Sequence, residues 1–252
     1  MDRRGNQGGS HLIDDTPELS VVIPVYNEGD HVIPTLRGVV ELTRTRPLEV
    51  LVVYDFDEDT TVPAVQGLQT EMPQLRLHKN TLGRGVLNAM KSGLRAARAP
   101  YVLITMGDGS DDPADIDAMY ALARAGADVV AGSRYMRGGR QLGGPLLKRT
   151  MSRVAGLSLH WIGGLPIHDA TSNFRLYSKR LVNQVVIESQ GGFELGLELT
   201  VKAYRLGLPL AEVPTTWRDR TAGQSRFRLW QWLPRYLHWY WRGMAGRWGP
   251  RG

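Results

Sequence analysis

The sequence predicts an α/β protein with a mostly parallel central sheet and helices on both faces. Between residues 19 and 131, short apolar runs rich in β-branched residues alternate with segments of helical periodicity. This alternation is typical of βαβ units with right-handed crossovers. One run, residues 102–106, stops abruptly at clustered aspartates, as expected at the carboxyl edge of such a sheet, where ligands bind. A length of 252 residues with 42% hydrophobic content suits one large domain.

Hydrophobic periodicity assigns the elements in order. In the first half the predicted strands are 19–25, 49–54, 75–78, 101–106 and 127–131, and the predicted helices are 28–42, 60–70, 85–97 and 114–125. The pattern changes after Gly132. Glycine pairs mark a loop, and then follow a helix over 146–161, a strand over 174–177, a helix over 194–206 and an extended segment over 210–216. Pro209 and Pro214 favour an edge position for that last segment.

Composition narrows the class of protein. There is no cysteine, which excludes disulfides and thiolate metal sites. No window reaches the roughly 18 to 20 apolar residues of a membrane span. Residues 1–17 are polar and glycine-rich, so we expect a disordered lead-in rather than a signal peptide, and a cytoplasmic location.

Positive charge is segregated along the chain. The net charge is +6, and residues 129–168 carry six Arg or Lys with no acid, while residues 220–252 carry seven Arg with no acid. Such segregation predicts an anionic partner, such as nucleotide phosphates, a lipid phosphate, a membrane surface or nucleic acid.

The aspartates after residue 106 have two interpretations. Asp108, Asp111 and Asp112 offer hard oxygen ligands to Mg²⁺ or Mn²⁺. The alternative is a helix start, with Ser110 or Asp112 as the N-cap before Pro113. We predict that Asp112 caps the helix.

Seven segments recur in an order and spacing that resemble the family-2 inverting glycosyltransferases, and most closely the dolichol- and polyprenyl-phosphate mannose synthase branch. They are 22–28 (Val-Ile-Pro-Val-Tyr-Asn-Glu), 52–61, 102–113, 131–139, 169–177, 192–198 and 213–227. The resemblance implies a GT-A fold over residues 18–227, a nucleotide-sugar donor and a divalent cation, Mg²⁺ or Mn²⁺.

The same resemblance assigns the donor side. It places Pro24, Tyr26 and Glu28 along the base and ribose. Asp55 is the candidate for base recognition through a ring N–H, although Tyr54 replaces the family's first aspartate. For Asp59 a helix-capping role is the alternative.

The acidic segment departs from the family in register. Counting back from Pro113, the family's two aspartates would fall on Gly107 and Gly109. Glycine has no side chain with which to bind a metal, so Asp108 and Asp111 are the predicted ligands.

The resemblance assigns arginines to the phosphates. Arg134 and Arg149 are expected to reach the diphosphate, since a guanidinium binds phosphate oxygens bidentately. A loop carrying Arg220 and Ser225 is expected to close on it and exclude water. For Arg149 the alternative is a solvated basic surface.

On the acceptor side, the resemblance assigns Asp169 to the sugar or acceptor and Glu198 to the acceptor. An ordinary exposed helix glutamate is the alternative for Glu194 and Glu198. Asp108, Asp111, Asp169 and Arg220 are the predicted catalytic residues.

The tail, residues 228–252, is aromatic and basic. Five of the seven tryptophans lie from Trp230 onward, among several arginines. We predict a helix over 229–244 lying peripherally at an anionic membrane surface. Packing on the catalytic domain, a dimer contact and nucleic-acid binding are the alternatives, and a nucleotide-sugar site makes nucleic acid the least favoured. The oligomeric state is left open.

The leading hypothesis is a metal-dependent, inverting transfer of a mannose-like or glucose-like hexose from a GDP or UDP donor to a polyprenyl phosphate. The second is transfer to a hydroxyl of a soluble small molecule, with Asp169 or Glu198 as the base. The third is a catalytically silent nucleotide-sugar-binding module.

Overall fold

The computed structural model of the chain describes residues 16–219 and 229–246, with side chains in the last helix from residue 233 onward. The strands are β1 (Leu19–Pro24), β2 (Leu48–Tyr54), β3 (Leu75–Lys79), β4 (Tyr101–Ile104), β5 (Val129–Ser133), β6 (Arg140–Leu142), β7 (Arg175–Ser178), β8 (Leu210–Pro214) and β9 (Thr216–Arg218). The helices are α1 (Ile33–Leu42), α2 (Thr61–Leu68), α3 (Val86–Ala96), α4 (Ile116–Arg124), α5 (Leu146–Trp161), α6 (Lys179–Gln184), α7 (Leu195–Arg205) and α8 (Leu229–Ala245).

The main sheet has seven strands in the order β3-β2-β1-β4-β7-β5-β8. β7 runs antiparallel to both of its neighbours, β4 and β5, and the other pairs are parallel. The predicted mostly parallel sheet is therefore confirmed. The edge position predicted for the segment after Pro209 is also confirmed, because β8 ends the sheet.

Sequence patterns missed three short elements, β6, β9 and α6. β6 pairs with β9 in a separate two-stranded sheet, and α6 is a six-residue helix directly after β7. Elements of three to six residues contain too few positions to establish a hydrophobic period. The small sheet joins the loop after β5 to the segment that leads into residue 219.

Apolar clusters lie on both faces of the sheet. One contains residues of α1, α2 and α4, and another contains residues of α3 and α7. A third cluster joins α5, α7 and α8. Every residue of β1 is buried, and so is every residue of β2 except Tyr54. Burial on both faces of the sheet explains why these two strands are largely apolar in sequence.

No helix within the described residues is both long and apolar enough to cross a bilayer. Residues 1–15, most of the predicted lead-in, lie outside the described residues.

Candidate active site

The predicted site residues follow strands that end on one edge of the sheet. β1, β2, β4 and β5 all have their carboxyl ends there, and the antiparallel strand β7 begins there. This topology collects five loops at one place, as expected for a ligand site in an α/β sheet.

An aromatic and cationic group lies at the end of β1 and β2. The Tyr26 side chain follows β1 and is 40% exposed, and its ring meets the Phe56 ring edge-to-face at a centroid distance of 5.4 Å. The Arg84 guanidinium lies 4.8 Å from the centroid of the Phe56 ring. Sequence reasoning missed Phe56 and Arg84. The signal for Phe56 was that it stands where the pattern of the resembled family has a glycine.

Asp55 directly follows β2, and its carboxylate is held in place. It accepts hydrogen bonds from Asn80 Nδ2 and from the Gly85 backbone amide, both at 2.8 Å. These contacts link the loops after β2 and β3 to the start of α3. Pro24 is the last residue of β1, and the Glu28 backbone amide donates to Thr61 Oγ1 at 3.0 Å.

Asp59 has the helix-capping role that the sequence offered as its alternative interpretation. Its buried carboxylate accepts from the backbone amides of Asn27 at 3.0 Å and Thr61 at 2.8 Å. It thereby ties the loop after β1 to the first residue of α2.

In the acidic loop after β4, Asp111 turns back toward the strand. Its carboxylate accepts from Thr105 Oγ1 at 2.9 Å and from the Met106 backbone amide at 3.2 Å. Burial and the nearby Asp108 charge raise the pKa of Asp111 to about 6, against the opposing effect of these hydrogen bonds and of Arg134. A cation beside this carboxylate would relieve that cost.

Asp112 caps the turn that precedes α4, as predicted. Its side chain accepts from the Ala114 backbone amide at 3.2 Å and forms an ion pair with Arg218 at 3.3 Å. Asp108 accepts from the Ser110 backbone amide at 3.1 Å.

The glycines in this loop explain its unusual register. A Cβ at Gly107 would lie 3.2 Å from a Val25 methyl group and 3.5 Å from an Ile23 methyl group, so an aspartate there would point into the core. Gly109 has a φ of +70°, which disfavours an aspartate on conformational grounds. Asp108 and Asp111 remain as the residues of the loop that can present carboxylates to the edge.

The donor set fits a hard divalent cation. Two carboxylates stand close enough for one to raise the pKa of the other. Mg²⁺ commonly uses one or two protein carboxylates and completes its shell with water and substrate phosphates. Within residues 16–219 and 229–246, no three acidic or histidine side chains converge as a complete metal site.

Arg134 and Asp169, which the resemblance assigned to different parts of the substrate, form one buried ion pair. Arg134 Nε lies 2.7 Å and Nη2 lies 3.0 Å from the two carboxylate oxygens, and Nη2 also donates to Thr171 Oγ1 at 2.8 Å. Burial alone raises the pKa of a carboxyl group, but the Arg134 charge and hydrogen bonds outweigh it and hold the pKa of Asp169 below its ordinary value.

This pair is connected in two directions. The buried Arg175 donates from Nη2 to the Asp169 carbonyl at 2.8 Å and from Nη1 to the Gly196 carbonyl at 3.3 Å. Arg175 therefore braces the Asp169 loop against α7, a role that sequence reasoning missed. On the other side, the Arg134 charge lowers the pKa of Asp111 against the effect of burial, so the pair lies near the acidic loop.

The structure gives Glu198 several protein partners. It is fully buried and accepts from the backbone amides of Glu188 at 2.6 Å and Ser189 at 2.8 Å, and it pairs with Lys202 at 2.7 Å. Glu194 likewise accepts from the Gly191 and Gly192 amides, both at 2.7 Å. Both glutamates hold the loop before α7, and neither is the exposed residue that the alternative assumed. An acceptor contact by Glu198 stays a prediction.

Arg149 lies on the first turns of α5, half-buried. Nearby, Ser152 Oγ bonds the Tyr135 hydroxyl, which also donates to Gln141 Oε1 at 3.2 Å, so that α5 is joined to the loop after β5. Arg220 and Ser225 lie outside the described residues.

Comparison with known proteins identifies the class. Residues 20–186 match the family model described as glycosyl transferase family 2. The chain belongs to that family and is a glycosyltransferase.

Within the family the chain falls in the polyprenyl-phosphate mannose synthase branch. It is 30% identical to the polyprenol monophosphomannose synthase of Mycolicibacterium smegmatis, over 84% of this chain and 81% of that protein. It is 31% identical to the undecaprenyl-phosphate mannosyltransferase of Micrococcus luteus, over 81% and 85% of the two chains.

Solved structures confirm the GT-A fold. A mannosyltransferase of Pyrobaculum calidifontis in complex with GDP-Man and Mn²⁺ matches with a TM-score of 0.61 at 18% identity, over 89% of this chain and 63% of that one. The glucosyl-3-phosphoglycerate synthase of Mycobacterium tuberculosis, with Mn²⁺, UDP and phosphoglyceric acid, also matches with a TM-score of 0.61 at 18% identity, over 92% and 79%.

Proposed function

We propose that this glycosyltransferase moves a hexose from a GDP- or UDP-linked donor to a polyprenyl phosphate, with inversion and with a divalent cation. Two relatives that share 30% and 31% identity with it over most of both chains are named as a polyprenol monophosphomannose synthase and an undecaprenyl-phosphate mannosyltransferase. We therefore place GDP-mannose first among the donors.

The observation that carries the lipid acceptor is an apolar stripe on the outside of α5. Leu147, Val154 and Trp161 are spaced seven residues apart, so they share one face of the helix, and they are 57%, 60% and 70% exposed. Lys148, Arg149 and Arg153 interleave with them, and α5 contains no acidic residue. Apolar insertion with positive charge is the pattern of a helix at an anionic bilayer surface.

The tail helix adds to this surface while it also packs on the domain. Trp239 is 3% exposed, whereas Leu237 and Trp241, on the same helix, are 41% and 62% exposed. One face of α8 therefore packs on the catalytic domain, which was an alternative to membrane contact. The opposite face is exposed and available for the membrane. We propose peripheral contact through α5 and α8 together.

In the proposed reaction a phosphate oxygen of the acceptor forms a bond to the anomeric carbon as the bond from that carbon to the diphosphate breaks. The electron pair leaves with the nucleoside diphosphate. An acceptor phosphate is already ionised, so no strong general base is required. Asp108 and Asp111 would hold the cation, whose chemistry is to neutralise the leaving diphosphate.

In this mechanism the arginines supply the remaining positive charge around the leaving diphosphate. Arg134, fixed in orientation by Asp169, presents positive charge at the edge without needing to reorganise. Arg149 and Arg220 are the further diphosphate ligands, and Ser225 belongs to the same closing loop. Pro24, Tyr26, Glu28 and Asp55 bind the nucleoside.

Turnover by the full-length protein tests the acceptor. GDP-mannose, GDP-glucose, UDP-glucose and UDP-GlcNAc are each supplied with Mn²⁺ and either a long-chain polyprenyl phosphate in vesicles or a soluble phosphorylated or hydroxylated acceptor. We expect a glycosyl polyprenyl phosphate from one donor. Product on a soluble acceptor alone would establish the second hypothesis, and donor binding without any transfer would establish the third.

Vesicle sedimentation tests the membrane contact. Leu147→Asp should weaken binding to vesicles rich in phosphatidylserine, and added salt should weaken binding of the unsubstituted protein by screening. Leu42→Asp is the matched control, since Leu42 is 51% exposed on α1. Equal effects of the two substitutions on vesicle binding would show that α5 does not contact the membrane.

A further inference from the structure

The Arg134 guanidinium is held both at its edge and at its face. At the edge, Nε and Nη2 donate to Asp169, and Nη2 also donates to Thr171. At the face, the guanidinium carbon lies over the Tyr135 ring, 4.8 Å from its centroid. Consecutive side chains of a strand point to opposite sides, but the chain bends directly after β5 and brings these two together. Among the described residues, the hydrogen bonds of the guanidinium use Nε and Nη2, which leaves Nη1 for a phosphate oxygen.

The Tyr135 hydroxyl joins two further segments to this cation. It bonds Ser152 Oγ on α5 and donates to Gln141 Oε1 on β6 at 3.2 Å. Ser152 Oγ in turn donates to the Arg149 carbonyl at 3.2 Å. β6 pairs with β9, which leads directly into residue 219. The segments that carry, or lead to, the three arginines assigned to the diphosphate therefore meet at one phenol.

Helix α5 packs tightly over this phenol. A Cβ at Gly156 would lie 2.5 Å from the His168 carbonyl oxygen and 3.4 Å from Tyr135 Cδ2, so a glycine is needed for the helix to approach so closely. Burial raises the pKa of the Tyr135 hydroxyl, and the Arg134 charge opposes this effect without cancelling it. The phenol therefore stays neutral and keeps the proton that it donates.

We propose that Tyr135 is a positioning residue for the donor diphosphate: its ring fixes the Arg134 guanidinium at the face, and its hydroxyl fastens α5 and β6 around it. One side chain then sets the spacing between Arg134, Arg149 and the segment that leads to Arg220. Cations gathered around an empty phosphate site repel one another, and fixed anchors keep them in place before the anion binds. The inference rests on the proposed function in that these arginines serve the donor diphosphate.

Substitutions in the full-length protein separate the two contacts of Tyr135. Tyr135→Phe removes the hydroxyl and keeps the ring, Tyr135→Leu removes both, and Ser152→Ala removes the partner on α5. Tyr240→Phe is the matched control, because the Tyr240 hydroxyl of α8 also meets a serine of α5, with 3.0 Å to Ser158 Oγ. Affinity for GDP and UDP with Mn²⁺ is measured by calorimetry, together with kcat, KM for donor and lipid, and the thermal midpoint.

Tyr135→Phe should weaken diphosphate binding about fivefold, the order of magnitude of a hydrogen bond between uncharged groups. Tyr135→Leu should weaken it further, because the cation also loses its aromatic contact. The effects of Tyr135→Phe and Ser152→Ala on affinity should not add, since both substitutions remove the same bond. Tyr240→Phe should bind diphosphate as the unsubstituted protein does, and its lipid KM and thermal midpoint should match those of Tyr135→Phe.

Additive effects, or a Tyr135→Phe protein that binds diphosphate as Tyr240→Phe does, would overturn the inference. If Tyr135→Leu does not fold, Tyr135→Phe and Ser152→Ala decide the question, because each removes only a hydroxyl. The calorimetric comparison needs no acceptor. A wild-type protein that transfers nothing to polyprenyl phosphate would therefore contradict the proposed function while leaving the Tyr135 result readable.

Discussion

Asp111 and Asp169 lie at the same edge of the sheet, next to the adjacent strands β4 and β7, but their surroundings are opposite. Asp169 is enclosed by a bidentate arginine, a threonine hydroxyl and backbone amides, and its pKa is lowered. Among the described residues, Asp111 has one hydroxyl and one amide as partners and a second carboxylate close by, and its pKa is raised.

The difference separates two uses of a buried carboxylate. The charge of Asp169 is neutralised within the protein, so it orients Arg134 and is not free for a metal. Within the part of the chain that the structure describes, the charge of Asp111 has no such bidentate partner, so a divalent cation carrying a donor diphosphate would fit beside it. Proximity to the active edge alone does not distinguish these roles, but the balance of charge around each group does.

The largest expected effect on stability comes from replacing Asp169, whose charge is neutralised by Arg134. Asp169→Asn would leave the Arg134 charge buried without a partner and should lower the free energy of unfolding by about 3–5 kcal/mol. Urea denaturation measures it, with Asp57→Asn as a control because the Asp57 side chain is 68% exposed. A loss below about 1 kcal/mol would show that Asp169 does not stabilise the fold through Arg134.

Asp111→Asn should act on binding instead of stability. We expect metal-dependent affinity for the donor to fall by more than about a hundredfold, since a charged ligand is lost while a side chain of the same shape is kept. Asp108→Asn should act in the same direction. Thermal stabilisation by GDP or UDP with Mn²⁺ measures the change. Near-normal stabilisation of both variants would show that the ligands are misassigned.

The third prediction concerns pH in the metal-free protein. Because burial and the Asp108 charge raise the pKa of Asp111 from an ordinary value of 3.8 to about 6 in the folded state, the folded state binds this proton more readily than the unfolded state. Stability from this group should rise as pH falls through 6, by on the order of 1 kcal/mol between pH 7 and 5. The lowered pKa of Asp169 gives the opposite sign, with stability lost only below about pH 4. The rise in stability as pH falls should disappear in Asp111→Asn. A rise that persists in this variant would show that another titratable group causes it.

The smallest effect is expected at Asp112, the third aspartate of the loop. Asp112→Ala removes a cap and should cost roughly 0.5–1 kcal/mol of stability. Donor affinity with Mn²⁺ should stay within about twofold of that of the unsubstituted protein. This is a difference in binding free energy of less than about 0.5 kcal/mol. A loss of donor affinity as large as that for Asp111→Asn would make Asp112 a ligand.

Much of this arrangement was predictable from local patterns. The strands β1 to β5 and the helices between them follow from runs of apolar residues and their period, and Asp112 as a cap follows from the proline after it. The direction of β7 was not predictable, because a four-residue buried strand has the same sequence signature in either direction. The burial of Glu198 was also missed, since its partners are backbone amides of a loop before the helix.

The sequence by itself determined the fold class, the order of the elements and the residues that carry charge at the edge, because those features depend on local periodicity and on side-chain chemistry. Only the tertiary structure decided which charges neutralise one another. Arg134 and Asp169 are 35 residues apart and meet because β5 and β7 are adjacent. Asp111 bonds Thr105, six residues earlier in the chain, and no arginine fork of the described residues neutralises its charge.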